Sequence, residues 1–119
     1  PHRSNPAGKV GYANAWRMCM RSWDASYLYC EGYAVSAAVG IPLQHAWALD
    51  SATGKVVDPT WIDGIDYFGV AWRHAFAASV LSATGVFGVL PELWRLDDLL
   101  PGWRADLASA CMPTLCALA

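Results

Sequence analysis

A cysteine, a histidine and an aspartate follow one another in this chain in the order of a nucleophile, a base and a group that orients the base. They are Cys30, His45 and Asp58. A thiolate can attack an amide or ester carbonyl when an imidazole takes its proton and a carboxylate holds the imidazole. The residues therefore predict acyl transfer or hydrolysis at a carbonyl, without metal or cofactor. The substrate would be a peptide, a protein or a small amide or ester.

A β-hairpin is the element that would bring His45 to Asp58. Residues 43–50 and 55–61 flank the turn-forming sequence 51–54, which is typical of a hairpin. If the turn centres between residues 52 and 53, position 45 faces position 60 and Asp58 lies one diagonal step away on the same face. A shift of two residues puts His45 directly opposite Asp58. Both registers allow the imidazole and the carboxylate to meet.

The segment around Cys30 fits two structures. Residues 27–36 have the alternating aromatics of a strand, whereas residues 31–39, followed by Gly40 and Pro42, could form a short helix. A helix over 31–39 would rise about 14 Å, and an extended segment 41–45 would return about 16 Å. A strand with a turn near residues 37 and 38 would set position 30 opposite position 45. Both alternatives bring the thiol near the imidazole.

The rest of the pattern predicts one α+β domain over residues 1–119, with an N-terminal helix packed on a small antiparallel sheet and C-terminal helices closing the core. Apolar residues recur every three or four positions over 11–23, which predicts the first helix. The other predicted elements are an extended arm over 1–10, a short strand or loop over 67–70, a helix over 72–84 ended by Gly85, and a helix over 91–100.

Composition narrows the class of protein. The chain is 55% hydrophobic with seven tryptophans and a net charge of −2, so it lacks the basic surface expected of a nucleic-acid-binding domain. The longest apolar stretch, 76–90, is shorter than the roughly 20 residues that cross a bilayer. Four cysteines without a disulfide-like spacing favour a reducing compartment. The expectation is therefore a cytoplasmic domain that binds neither nucleic acid nor membrane.

Three motifs resemble the transglutaminase-like branch of the papain-like cysteine enzymes. They are Cys30-Glu31-Gly32-Tyr33-Ala34, His45-Ala46-Trp47 and Val57-Asp58-Pro59-Thr60-Trp61. The segment 66–70 is also similar to a compact subgroup of that branch in bacteria and phages. The resemblance implies a papain-like core and a cysteine, histidine and aspartate triad at Cys30, His45 and Asp58.

The same subgroup suggests a second position for the nucleophile. It carries a Cys-Tyr-x-Asn-Ala motif at the head of its first helix, and this chain reads Gly11-Tyr12-Ala13-Asn14-Ala15. The resemblance therefore implies that Gly11 stands at the nucleophile position and that Asn14 belongs to the site. A helix N-terminus at residue 11 would stabilise a thiolate and an oxyanion. Two hypotheses follow: an enzyme that uses Cys30, or a catalytically silent domain that binds a peptide or a partner protein.

Overall fold

The fold is built on a five-stranded antiparallel sheet with the order β3-β2-β1-β4-β5. The computed structural model describes residues 6–21, 26–104 and 111–112. In chain order the elements are α1 (Pro6–Met20), β1 (Tyr27–Ser36), β2 (Pro42–Asp50), β3 (Val56–Val57), β4 (Gly64–Trp72), α2 (His74–Thr84), a 3-10 helix (Leu90–Arg95), α3 (Leu96–Leu99) and β5 (Cys111–Met112). The predicted α+β class is confirmed.

β1 is the central strand of the sheet, and this settles the ambiguity around Cys30 in favour of a strand. It pairs with β2 so that Cys30 lies opposite Trp47 and Gly32 lies opposite His45. The predicted pairing of positions 30 and 45 is therefore wrong by two residues, because the turn centres between residues 38 and 39. A shift of two residues keeps Cys30 on the same face of the sheet as His45.

The second hairpin has the first of the two predicted registers. Ala48 pairs with Val57 and Leu49 pairs with Val56, so the turn centres between residues 52 and 53. β3 is only two residues long, because Asp58 and the residues that follow it leave the sheet edge. The short β3 therefore delivers Asp58 to the level of His45 without continuing the ladder.

α1 begins five residues earlier than the apolar period predicts. Residues 6–10 are helical, so the predicted extended arm is wrong for them; residues 1–5 lie outside the described part of the chain. Pro6 suits this start, because the first turn of a helix needs no N–H donor from its first residue. Gly11 consequently lies inside α1 rather than at its N-terminus.

The C-terminal half has shorter helices than predicted. α2 starts at His74 because Trp72 still belongs to β4, and it ends as predicted at Gly85, whose φ of 76° is left-handed. A 3-10 helix followed by the single turn of α3 replaces the one helix predicted over 91–100. Among the described residues, no helix is long and apolar enough to cross a membrane.

Alternate residues of β1 contribute to two apolar clusters. Tyr29 packs with Tyr12, Ala15 and other residues of the helices in one cluster. Cys30 packs with Trp47 and other residues of β2 and β4 in the other. Because neighbouring strand residues point to opposite faces, the central strand is buried on both sides.

Candidate functional site: an imidazole and a carboxylate facing residue 11

His45 and Asp58 form a buried hydrogen-bonded pair. The Nε2 atom of His45 lies 2.8 Å from Oδ2 of Asp58, and the two side chains are 1% and 5% exposed. β2 supplies the imidazole and the residue after β3 supplies the carboxylate. The contact expected from the hairpin parity is therefore present, while the catalytic roles of both residues stay predictions.

Four donors surround the Asp58 carboxylate. Oδ1 accepts the backbone N–H groups of Thr60 and Trp61 at 2.9 and 3.0 Å. Oδ2 accepts the Tyr67 hydroxyl at 2.7 Å in addition to His45. Burial raises the pKa of Asp58, but the hydrogen bonds from His45, Trp61 and Tyr67 outweigh burial, so the pKa is lowered overall. Asp58 is therefore held as a carboxylate.

An ionised Asp58 determines which nitrogen of His45 carries the proton. A carboxylate only accepts hydrogen bonds, so Nε2 of His45 must be the donor in their 2.8 Å contact. In the neutral ring this leaves Nδ1 with a lone pair, which is the state a general base requires. Trp61 also fixes the orientation of the His45 ring plane, because the two rings stack with centroids 3.8 Å apart and planes 9° from parallel.

Residue 11 is the position that the Nδ1 edge of His45 faces. A Cβ atom built on Gly11 would lie 3.1 Å from both Nδ1 and Cε1 of His45, and 3.9 Å from the Thr60 hydroxyl. The α1 backbone therefore directs the side-chain position of residue 11 at the basic nitrogen. The predicted helix-head environment is nevertheless wrong: Gly11 is the sixth residue of α1, so its N–H lies beyond the first four that lack an acceptor within the helix.

Asn14 lies one turn further along α1 and contacts the same loop. Its Nδ2 donates to the Thr60 hydroxyl at 3.1 Å. Since Thr60 also donates its backbone N–H to Asp58, this bond joins α1 to the loop that holds the carboxylate. Asn14 thus contributes to the structure of the site by fixing the position of Gly11 relative to His45.

Cys30 lies in a different environment. It is 0% exposed at the centre of β1, opposite Trp47 in the ladder to β2 and opposite Ala71 in the ladder to β4. Its thiol is directed at the Leu28 carbonyl oxygen, at 3.8 Å. A substrate carbonyl could reach this sulfur only if the surrounding core opened, so the burial of Cys30 does not support its predicted role as a nucleophile.

Tyr67 and Thr60 are site residues that the sequence did not assign to the site. Alternation along β4 could have placed Tyr67 on the inner face of the strand. Its partner Asp58 could not be inferred, because the pattern does not reveal that β4 and β2 lie on either side of β1. Thr60 belongs to a recognised motif, but the motif carries no information about the approach of α1.

Replacing Asp58 by asparagine tests the carboxylate directly. A carboxylate with a lowered pKa stabilises the fold fully above its ordinary pKa of 3.8, and this stabilisation is lost as the pH falls through the lower pKa of the folded state. Asp58→Asn should lower the free energy of unfolding at pH 7 by about 1–3 kcal/mol, because only one end of the amide accepts, so either the two backbone N–H groups or the pair His45 and Tyr67 lose their acceptor.

Urea unfolding of the native chain and of Asp58→Asn over a pH series measures this effect. The difference between the two should shrink between about pH 5 and pH 2 as the native carboxylate takes up a proton. A difference independent of pH over that interval would mean that Asp58 is not held ionised by its neighbours.

No metal site competes with this interpretation among the described residues, because no three His, Cys, Asp or Glu side chains there are grouped so that they could hold an ion. Comparisons of the chain with protein-family models, with curated proteins and with solved structures find no match. The function is therefore inferred from the geometry of the site.

Proposed function

We propose that this domain has the scaffold of a thiol-dependent acyl-transfer enzyme in which residue 11 is the nucleophile position. With glycine at that position, it binds a peptide segment of a substrate or partner protein without thiol catalysis. The observation that carries the proposal is that a Cβ atom at residue 11 would lie 3.1 Å from Nδ1 of His45, whose Nε2 is hydrogen-bonded to Asp58.

The chemistry of such a scaffold needs a thiol where Gly11 stands. The thiol would give its proton to Nδ1 of His45, and its sulfur would bond to the substrate carbonyl carbon. The imidazolium would return the proton to the leaving amine or alcohol as the bond to it breaks, and water would then hydrolyse the thioester. Glycine has no atom that can form the carbon–sulfur bond, so the first step is closed to this chain at residue 11.

The start of α1 also favours binding over catalysis. An oxyanion needs N–H groups that have no other acceptor, and in an α-helix these belong to the first turn. α1 begins at Pro6, so the N–H of Gly11 is used within the helix. The site therefore retains the base and its carboxylate but lacks a backbone donor at residue 11 for the charge that develops during acyl transfer.

Apolar side chains near the site suit a peptide ligand. Val10 precedes Gly11 and Leu43 precedes His45 by two residues, and both are exposed. Tyr33 and Phe68 are also exposed and lie opposite each other on β1 and β4. By strand alternation Leu43 shares the sheet face of His45, whereas Tyr33 and Phe68 lie on the other face. Val10 and Leu43 are therefore the exposed apolar groups that adjoin the site, and exposed apolar groups are typical of a surface that binds another molecule.

Cysteine labelling tests which residue the scaffold uses. If residue 11 is the nucleophile position, Cys30 of the native chain should react with iodoacetamide at pH 7 no faster than Cys19, whose thiol is equally buried and whose pKa burial raises to about 12. His45→Ala should not slow the labelling of Cys30. The rates are measured by peptide mass spectrometry, with the urea-unfolded chain as the control for full access.

The opposite result would replace the proposal by the other hypothesis. If Cys30 labels at least tenfold faster than Cys19 and His45→Ala removes the difference, Cys30 is an activated thiol. The native chain would then be a cysteine-dependent enzyme that uses Cys30.

A further inference from the structure

We infer that Tyr67 is a positioning residue that sets the proton state of His45 through Asp58, and that Gly64 is glycine because the Tyr67 hydroxyl occupies the space of its side chain. The inference rests on the proposed function for its catalytic meaning. Its structural part concerns the side chains of Tyr67, Asp58 and His45 and the backbone at Gly64. The proton states of these side chains can be measured in the native chain, without a thiol at residue 11.

The Tyr67 hydroxyl and the His45 imidazole donate to the same oxygen. Tyr67 lies 2.7 Å and His45 Nε2 lies 2.8 Å from Oδ2 of Asp58. With the N–H groups of Thr60 and Trp61 on Oδ1, the four donors leave no acceptor for a carboxyl proton and so favour the ionised form of Asp58. Removing the Tyr67 donor therefore destabilises the ionised form of Asp58 and leaves Oδ2 to the Nε2–H of His45 alone.

The aromatic packing around His45 includes Tyr67 as well. The Tyr67 ring meets Trp47 edge to face with centroids 5.0 Å apart, and Trp47 stacks on the imidazole at 6.2 Å. Tyr67 is 3% exposed, so its hydroxyl is held by the core and not by solvent. A fixed phenol can act as a permanent third partner of the carboxylate and imidazole pair.

Gly64 supplies an independent observation. A Cβ atom built on Gly64 would overlap the hydroxyl oxygen of Tyr67 and crowd its ring. Gly64 begins β4 and its φ lies outside the left-handed region, so its conformation alone does not demand glycine. The space it leaves is filled by the hydroxyl that bonds Asp58, which explains why a side chain is absent there.

Two substitutions test the inference in the native chain by NMR. Tyr67→Phe should raise the pKa of the Asp58 carboxyl, measured by its ¹³C shift, and change the ¹⁵N shifts of His45, whose Nε2–H then no longer shares Oδ2 with the phenol. Gly64→Ala should give the same signature with Tyr67 intact, because the new methyl group displaces the hydroxyl. Tyr33→Phe removes a half-exposed phenol on β1 and is the matched control that should leave both shifts unchanged.

The catalytic meaning is tested in the Gly11→Cys background. Tyr67→Phe should slow labelling of the introduced thiol by about threefold, a part of the roughly tenfold gain that depends on His45. If the NMR shifts of His45 and Asp58 respond but no labelling depends on His45, Tyr67 is still the positioning residue and the proposed function fails. If labelling depends on His45 while Tyr67→Phe and Gly64→Ala leave both shifts unchanged, the inference is overturned and the proposed function stands.

Discussion

Gly11→Cys is expected to create a thiol that reacts with iodoacetamide at pH 7 about tenfold faster than an ordinary exposed cysteine. An ordinary thiol with a pKa near 8.5 is only about 3% ionised at that pH, so an adjacent imidazolium can raise the thiolate fraction by up to about 30-fold. Part of that gain is lost because a thiolate of lower pKa is a weaker nucleophile. Stopped-flow or mass-spectrometric labelling rates check the result.

The new side chain fits with a small adjustment. A Cβ atom 3.1 Å from the His45 ring is tighter than ordinary contact, so the ring or α1 must move by a few tenths of an ångström. The loss of a helical glycine favours the variant, since alanine stabilises a helix by roughly 0.5–1 kcal/mol relative to glycine and cysteine does so by a smaller amount. Gly11→Ala is the matched control, because it adds the same Cβ without the sulfur and should unfold at a similar urea concentration.

Two double variants identify the source of the reactivity. In the Gly11→Cys background, His45→Ala should return the labelling rate to that of an ordinary thiol, whereas Cys30→Ala should leave it unchanged. A rate that does not depend on His45 would show that residue 11 is not the nucleophile position. In that case the close approach of residue 11 to His45 would reflect only the packing of α1 against β2.

The sequence predicts the parts of this site that depend on local spacing. The turn between β2 and β3 defines which residues share a face, so the meeting of His45 with Asp58 followed from parity alone. The end of α2 at Gly85 followed from the need for a left-handed residue after the last helical turn. Both features depend on residues within about a dozen positions of one another.

The remaining features depend on contacts between distant parts of the chain. The start of α1 at Pro6 could have been inferred from proline at the first turn, but the apolar period gave no sign of it over 6–10. Tyr67 reaches Asp58 only because β1 and β4 bring it there. Cys30 is buried because its strand has partners on both sides, which a single short apolar segment cannot show.

Glu31 shows the same limit most clearly. It follows Cys30 in sequence, nothing in the local pattern indicates its partners, and it is 0% exposed. Its oxygens accept the backbone N–H groups of Val89 and Leu90 at 2.7 and 2.8 Å and the Tyr29 hydroxyl at 2.6 Å. The N–H donors are 58 and 59 residues away. Glu31 therefore joins the central strand to the segment that starts the 3-10 helix.

Glu31→Ala is accordingly expected to lower the free energy of unfolding by about 3–9 kcal/mol, because three donors, two of them buried, lose their acceptor and each costs about 1–3 kcal/mol. That is a large part of the total stability expected for a domain of this length, about 6–18 kcal/mol. Glu31→Gln keeps one acceptor oxygen and should cost less. Urea unfolding measures the free energies, and hydrogen exchange of the Val89 and Leu90 amides reports the local effect.

Asp98→Ala is the matched control, since Asp98 is an exposed carboxyl in α3 and its loss should change stability by less than about 0.5 kcal/mol. If the free energy of unfolding of Glu31→Ala lies within about 1 kcal/mol of the native value, water or another acceptor satisfies the three donors. The prediction also separates the two carboxylates of this fold. Loss of Glu31 should expose the Val89 and Leu90 amides and leave the ¹⁵N shifts of His45 unchanged, whereas Asp58→Asn should change those shifts and leave both amides protected.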